Sequence, residues 1–420
     1  MKNILFLILF QFILSFTVYG QVYRYFKTAE YESIVFNNSP LKNEIMQKES
    51  EFVRYLNNEF SIFEQMKPVT LPIVFNIVVS NQNQISHAQI YQQLIALNKA
   101  FSNKIGVPEN DYFYYLATDS KIRFCVPEFS DLFIRIKEIP QGTVFNSLME
   151  VKTAGKGLEP YMPEKYINIW ITEFGNVFID NQEYTDAGYA QLPFRDVATD
   201  GIVINAKHFG EQPESEFYKE GYTLAHLMGI YLGLKPLVGF SKCGGDNVDD
   251  TPDINAETLI CWAQDESHYV SDGCFFNDRR LTRNFMDNIP DDCAAMFTYG
   301  QCMRMQGILG LKGPRHHLVD DKYLGCESYQ LTEIVDIDND PGLSIFPNPS
   351  NHTINVKLNH VELTGLERFE VLNFMGQKIK EGYFTENTVI TVNDYAHGSY
   401  FLIVKLNCGK ILREIFQIIQ

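Results

Sequence analysis

Residues 71–79, Leu-Pro-Ile-Val-Phe-Asn-Ile-Val-Val, constrain the fold of this 420-residue chain more than any other stretch. Only Asn76 interrupts an apolar run rich in β-branched residues. A strand with one wet face alternates polar and apolar positions, and this run does not. It reads as a strand buried on both faces, which belongs in a mostly parallel sheet covered by helices. The expectation is an α/β (α+β) domain. Helical signals lie on either side of it. Ser86 and Gln89 form a capping-box pattern, after which Ile90, Leu94, Leu97 and Phe101 mark one face. Upstream, Phe52, Leu56, Phe60 and Phe63 recur at helical spacing. Residues 167–172 and 201–205 read as further strands, and 218–234 as a helical segment closed by Gly233 and Pro236.

The two ends of the chain differ from its middle. Lys2 precedes thirteen residues, 4–16, that are apolar except for Gln11 and Ser15, and small Gly20 precedes Gln21. This is the pattern of a cleavable secretory signal, and it is short for a spanning helix. No later segment is long and apolar enough to span a bilayer. The chain becomes loop-like and rich in Asp, Gly, Asn and Cys over 242–302, and 336–342 (DIDNDPG) reads as an acidic linker. Beyond it, short strand-like runs alternate with turns, as in an all-β immunoglobulin-like sandwich. The expected organisation is a signal (1–20), an N-terminal segment and candidate propeptide (21–68), an α/β domain (69–328), a linker (329–342) and a β domain (343–420). With 52 acidic against 35 basic side chains, net −17, the chain is a poor partner for nucleic acid or an anionic membrane.

The chemistry-bearing stretch is 223–236, Thr-Leu-Ala-His-Leu-Met-Gly-Ile-Tyr-Leu-Gly-Leu-Lys-Pro. It resembles the metzincin zinc helix, H-E-x-x-H-x-x-G-x-x-H. There two histidines one helical turn apart bind zinc, the glutamate is the general base, and the glycine turns the chain toward a third histidine. His226 stands at the first ligand position and Gly233 at the glycine. Leu227 stands at the base, Ile230 at the second ligand and Pro236 at the third. The flanks resemble the pappalysin-type (M43) metalloproteases. Residues 243–252 (CGGDNVDDTP) look like that family's C…G-D-x-V-x-D-T-P loop, and 284–287 (NFMD) like its Met-turn, with Met286 as the methionine. Cys293, 296–298, Gly300-Gln301 and Arg304-Met305 look like the closing helix. Upstream, 169–171, 188–191 and 200–204 match its strand-rich half, so the resemblance covers about 69–312. It implies a metzincin-like metalloprotease fold.

One imidazole cannot hold zinc where three protein ligands are needed, and Leu227 cannot take a proton from water. Zinc is therefore not expected, Met286 becomes core packing, and His226 a hydrogen-bonded buried histidine. The reading is a catalytically inactive pseudoprotease that binds a peptide or protein at the cell surface. The alternatives are an active zinc metalloendopeptidase with an unorthodox site, and a surface adhesin or structural protein. Asp246, Asp249, Asp250, Thr251 and Asp253 crowd hard oxygen donors into a glycine-containing loop, which suits structural calcium, as the family resemblance also implies. That resemblance pairs Cys243 with Cys274 and Cys261 with Cys293. Cys302 and Cys326 are candidates for a third bridge, leaving Cys125 and Cys408 as candidate free thiols, although spacing alone does not settle connectivity.

Residues 345–350 (IFPNPS), Met375-Gly376-Gln377 and 398–401 (GSYF) resemble the C-terminal sorting domain (type A) of type IX secretion cargo of Bacteroidota. Pro347 and Pro349 suit an edge or strand-entry position. The resemblance implies the type IX machinery as a partner, passage through the periplasm and outer membrane, and a secreted or surface-held product.

Overall fold

The computed structural model describes residues 23–26, 28, 42–58, most of 68–257, Cys274, 281–319, Cys326 and most of 342–419. The signal, the linker up to residue 341, Phe60, Phe63, the Met375-Gly376-Gln377 turn, Cys261 and Cys408 lie outside these residues, and Gly342, expected to end the linker, opens a strand.

In chain order the first domain runs β1 (Tyr23–Phe26), α1 (Lys42–Asn58), β2 (Val69–Val79), α2 (His87–Phe101), β3 (Ile122–Cys125), β4 (Ile134–Glu138), β5 (Ile167–Thr172), β6 (Asn176–Ile179), β7 (Gln182–Ala190), β8 (Ile202–Asn205), α3 (Thr223–Tyr231) and α4 (Tyr299–Leu309). The strands form one eight-stranded sheet in the order β1-β7-β8-β5-β2-β3, with β4 on β2 and β6 on β7. β2 pairs in parallel with β5 on one side and with β3 and then β4 on the other. β7 runs antiparallel to β8, and β1 lies parallel along β7.

The run at 71–79 is buried throughout because both faces of β2 are covered. One face meets the large core containing Leu94, Leu97 and Phe101 of α2 and Leu224 and Leu227 of α3. Val78 joins a smaller cluster around Trp170 and Tyr189. The single polar residue is satisfied in place: Asn76 donates to Asn168 Oδ1 at 3.1 Å and accepts from Arg135 at 2.7 Å.

Two local expectations are corrected. Ser86 Oγ does accept from the Gln89 backbone at 3.1 Å, but the Gln89 side chain donates to Phe209 O at 2.7 Å and leaves the capping box half made. A complete capping box instead opens α4, between Thr298 and Gln301. The helix expected at 218–234 is shortened to α3. Gly221 has φ +80°, outside helical space, and Asp291 Oδ2 takes the backbone N–H groups of Glu220 and Tyr222.

The C-terminal domain has its own core of Ile354, Val356, Val371, Ile390, Leu402, Val404 and Phe416. Strands β9 (Gly342–Phe346), β10 (Thr353–Asn359) and β13 (Thr388–Thr391) form one antiparallel sheet. Strands β11 (Arg368–Asn373), β12 (Lys378–Tyr383), β14 (Gly398–Lys405) and β15 (Ile411–Ile418) form the other. Pro347 and Pro349 fall just after β9, where no ladder N–H is lost. Among the described residues no helix is long and apolar enough to cross a membrane.

Cys243 is bridged to Cys274. Cys293 is disulfide-bonded, and the partner expected for it, Cys261, lies outside the described residues. The third bridge is corrected: Cys326 joins Cys125 at the end of β3, and Cys302 is a free, buried thiol. Cys302 sits on the covered face of α4 with its sulfur toward Thr118 O, so nearness in sequence to Cys326 does not become nearness in space. Peptide mapping without reduction should recover a Cys125–Cys326 crosslink. Cys302 should be alkylated only after unfolding, since burial raises its thiol pKa well above the ordinary value. A Cys302–Cys326 peptide would refute the assignment.

Candidate functional site

All nine residues of α3 are buried. The helix ends because Gly233 adopts φ +89°, and Leu234 N then reaches back to Gly229 O at 2.9 Å. This is the turn that the glycine of the zinc motif is expected to make. Beneath the helix, Met286 is fully buried with its sulfur packed on Gly229, where a Cβ would stand 2.5 Å away. The Met-turn residue thus acts as core packing.

His226 is 1% exposed. Its Nδ1 lies 2.8 Å from Phe285 O, an atom that only accepts, so Nδ1 carries the proton. Nε2 then presents a bare lone pair, buried and without a hydrogen-bond partner among the described residues. The ring is covered by Phe26 of β1, stacked at 3.9 Å between centroids and 12° between planes. Burial, reinforced by the Arg24 charge, pushes this imidazole down to about 3. Leu227 and Ile230 are fully buried in the main core, and Pro236 is half-buried. None of these three side chains has a donor atom. The position offers zinc one imidazole nitrogen, no second or third ligand and no base, so the residues present do not fit the metal.

β1 lies in parallel along the edge of β7. Arg24 is 1% exposed and drives its guanidinium beneath the strand. Its Nε donates to Asn288 Oδ1 at 3.0 Å and its Nη2 to Ile289 O at 2.9 Å. Its Nη1 donates to Thr223 Oγ1 at 3.0 Å and Asp291 Oδ1 at 3.2 Å. Asn288 returns a bond to the Arg24 carbonyl at 2.9 Å. The guanidinium also lies 4.3 Å from the Tyr218 ring, whose far neighbour is buried His208. His208, Tyr218, Arg24, Phe26 and His226 therefore form a continuous row. Reading the sequence alone passed over Arg24 and Phe26. The available signal was their spacing, since residues two apart on a strand share a face.

The acidic loop is organised by its own donors and by those at the start of α4. Asp246 Oδ1 accepts from Thr251 Oγ1 at 2.7 Å and Val248 N at 3.0 Å. Asp250 accepts from Thr298 Oγ1 at 2.7 Å and Gly300 N at 2.8 Å, capping the N-terminus of α4. Asp253 lies against Gly245. Asp249 and Asp253 do not join these carboxylates in a cage: among the described residues no group of three or more His, Cys, Asp or Glu could hold a metal. The feature that a cation would answer is Asp246 Oδ2, buried and unpaired, and burial pushes this carboxyl up to about 7.

Comparison with known proteins agrees with this fold. Residues 158–310 match the peptidase family M43 model described as pregnancy-associated plasma protein-A, and residues 344–418 match the secretion system C-terminal sorting domain. A promirolysin mutant of Tannerella forsythia is 25% identical, covering 70% of this chain and 96% of that one with a TM-score of 0.58. Mature mirolysin of the same organism, in complex with a cleaved peptide, is 28% identical over 60% of this chain and 96% of that one, with a TM-score of 0.51. An extracellular metalloprotease of Aspergillus fumigatus is 33% identical over 118 residues, a match that spans 27% of this chain and 35% of that protein.

The row of rings beneath β1 has a consequence for acid stability. Burial, with the charges of Arg24 and Lys207, pushes His208 down to about 3. The unfolded chain takes up this proton near pH 6.5, so His208 destabilises the fold progressively as pH falls from about 6.5 toward 3. His208→Phe should reduce the slope of unfolding free energy against pH in that window by about 1.4 kcal/mol per pH unit. Denaturant titrations at pH 7, 5 and 4 measure this, and an unchanged slope would contradict it.

Proposed function

Since residues 158–310 belong to the pappalysin-type (M43) metallopeptidase family and residues 344–418 are a secretion system C-terminal sorting domain, we propose an exported, non-catalytic surface protein built on a protease fold. The tail indicates export by type IX secretion and, with it, contact with that machinery. The observation that carries the non-catalytic reading is the state of His226, whose free nitrogen is sealed under Phe26 and has no second donor at Leu227, Ile230 or Pro236. A hydrolytic site needs a metal or a base beside a water, and this position supplies neither. The cleft as a peptide-binding groove is opposed by β1, which already holds that edge of β7. The protein therefore meets partners through surfaces other than the cleft, as an adhesin or scaffold does.

Purified full-length protein should contain well under 0.1 zinc per chain (roughly, against one for an occupied site) and leave a peptide library uncut. One zinc per chain with chelator-sensitive cleavage would sink the reading. His226→Ala should then change stability but no peptidase signal.

Calcium at the acidic loop is the second part of the proposal, supported by the unpaired Asp246 Oδ2. Millimolar calcium should raise the melting temperature of the wild type by roughly 2–5 °C. It should leave Asp246→Asn unmoved. Equal shifts in both proteins would place the effect elsewhere.

A further inference from the structure

We propose that residues 23–58 are a retained, integral part of the exported protein and not a cover that maturation removes. The inference takes one premise from the non-catalytic reading, that no working group lies under β1 to be released. Its other supports are packing and polar satisfaction.

The Arg24 guanidinium makes four hydrogen bonds, using four of its five N–H groups, and all of them end on residues 223–291 of the body. The body is equally committed to Arg24. Asp291 is 1% exposed, holds the loop before α3 through Oδ2, and uses Oδ1 for the arginine. Removing β1 would leave a buried carboxylate without its cation, together with Thr223 and Asn288 without their partner. It would also strip the edge of β7, where Tyr23–Phe26 pair with Tyr184–Gly188 and Ala190 N donates to Thr28 Oγ1.

α1 shows the same mutual fit. Its buried Phe52, with Leu56, packs on α4 at Gly307, where the Leu56 methyl occupies the space that a Cβ would need. Glycine is unfavourable inside a helix, and here it makes room for α1. Arg304 of α4 is 5% exposed, donates through Nε to Gly233 O at 2.6 Å and faces Glu49 of α1 at 3.7 Å. The N-terminal segment is thus tied to the turn that ends α3 as well as to the loop that precedes it.

Intact mass and N-terminal sequencing of the full chain recovered after export test the proposal directly. The exported protein should begin before Tyr23. A folded exported protein beginning after residue 58 would overturn it. In purified full-length protein, a site-specific protease sequence placed within 59–67 allows the segment to be cut in place. The 23–58 piece should co-elute with the body until the protein is unfolded. Release of the piece from a body with an unchanged melting temperature would also overturn it. Arg24→Ala should lower the melting temperature by roughly 5–15 °C, and a value within a degree of wild type would count against the proposal. Zinc content decides the non-catalytic reading separately, so failure of one is not failure of the other.

Discussion

The buried guanidinium of Arg24 is the interaction on which the region around His226 depends. A charge taken out of water costs several kcal/mol unless its hydrogens are paired in good geometry. Here the pairs come from two directions, the first residue of α3 and the loop at 288–291, whose Asn288 also closes back on the Arg24 carbonyl. The bonds hold β1 on the edge of β7, and β1 in turn lays Phe26 on His226. Strand, helix and loop therefore form one unit.

Metal chemistry and a dry core are alternative uses of the same helix. A zinc helix needs donors on one face, an adjacent base and access for water. α3 has Leu227 and Ile230 at those positions, both fully buried, in a helix with no exposed residue. The scaffold survives the change because its stability comes from apolar burial around β2, α2 and α3, which zinc does not supply. Met286 under Gly229 and the turn at Gly233 are packing and backbone devices, and neither depends on a bound metal. A protease-like fold is thus no guarantee of protease chemistry.

Features carried by composition within a few residues were legible in the sequence. The strand at 71–79, the N-cap at Ser86, the glycine turn after α3 and the β character of the tail all emerge as read. Features that depend on residues far apart were not. Helix α3 starts late because Asp291, about seventy positions downstream, captures the N–H groups before it. Gln89 leaves its capping box for Phe209 O, 120 positions away. Cys326 finds Cys125 across 201 positions and passes over the nearer Cys302. Each outcome is decided by which partner the folded chain brings within reach.

The sequence by itself determined the class of the fold, the tail, and the missing ligands and base at 227, 230 and 236, because these follow from side-chain chemistry and local periodicity. Tertiary structure alone decided what covers His226. The spacing of Arg24 and Phe26 places them on one face of a strand, but nothing local says what that face meets. They acquire their roles because β1 pairs with β7, which points both side chains into the body: one to an aspartate 267 positions away, the other to the histidine that the motif left behind.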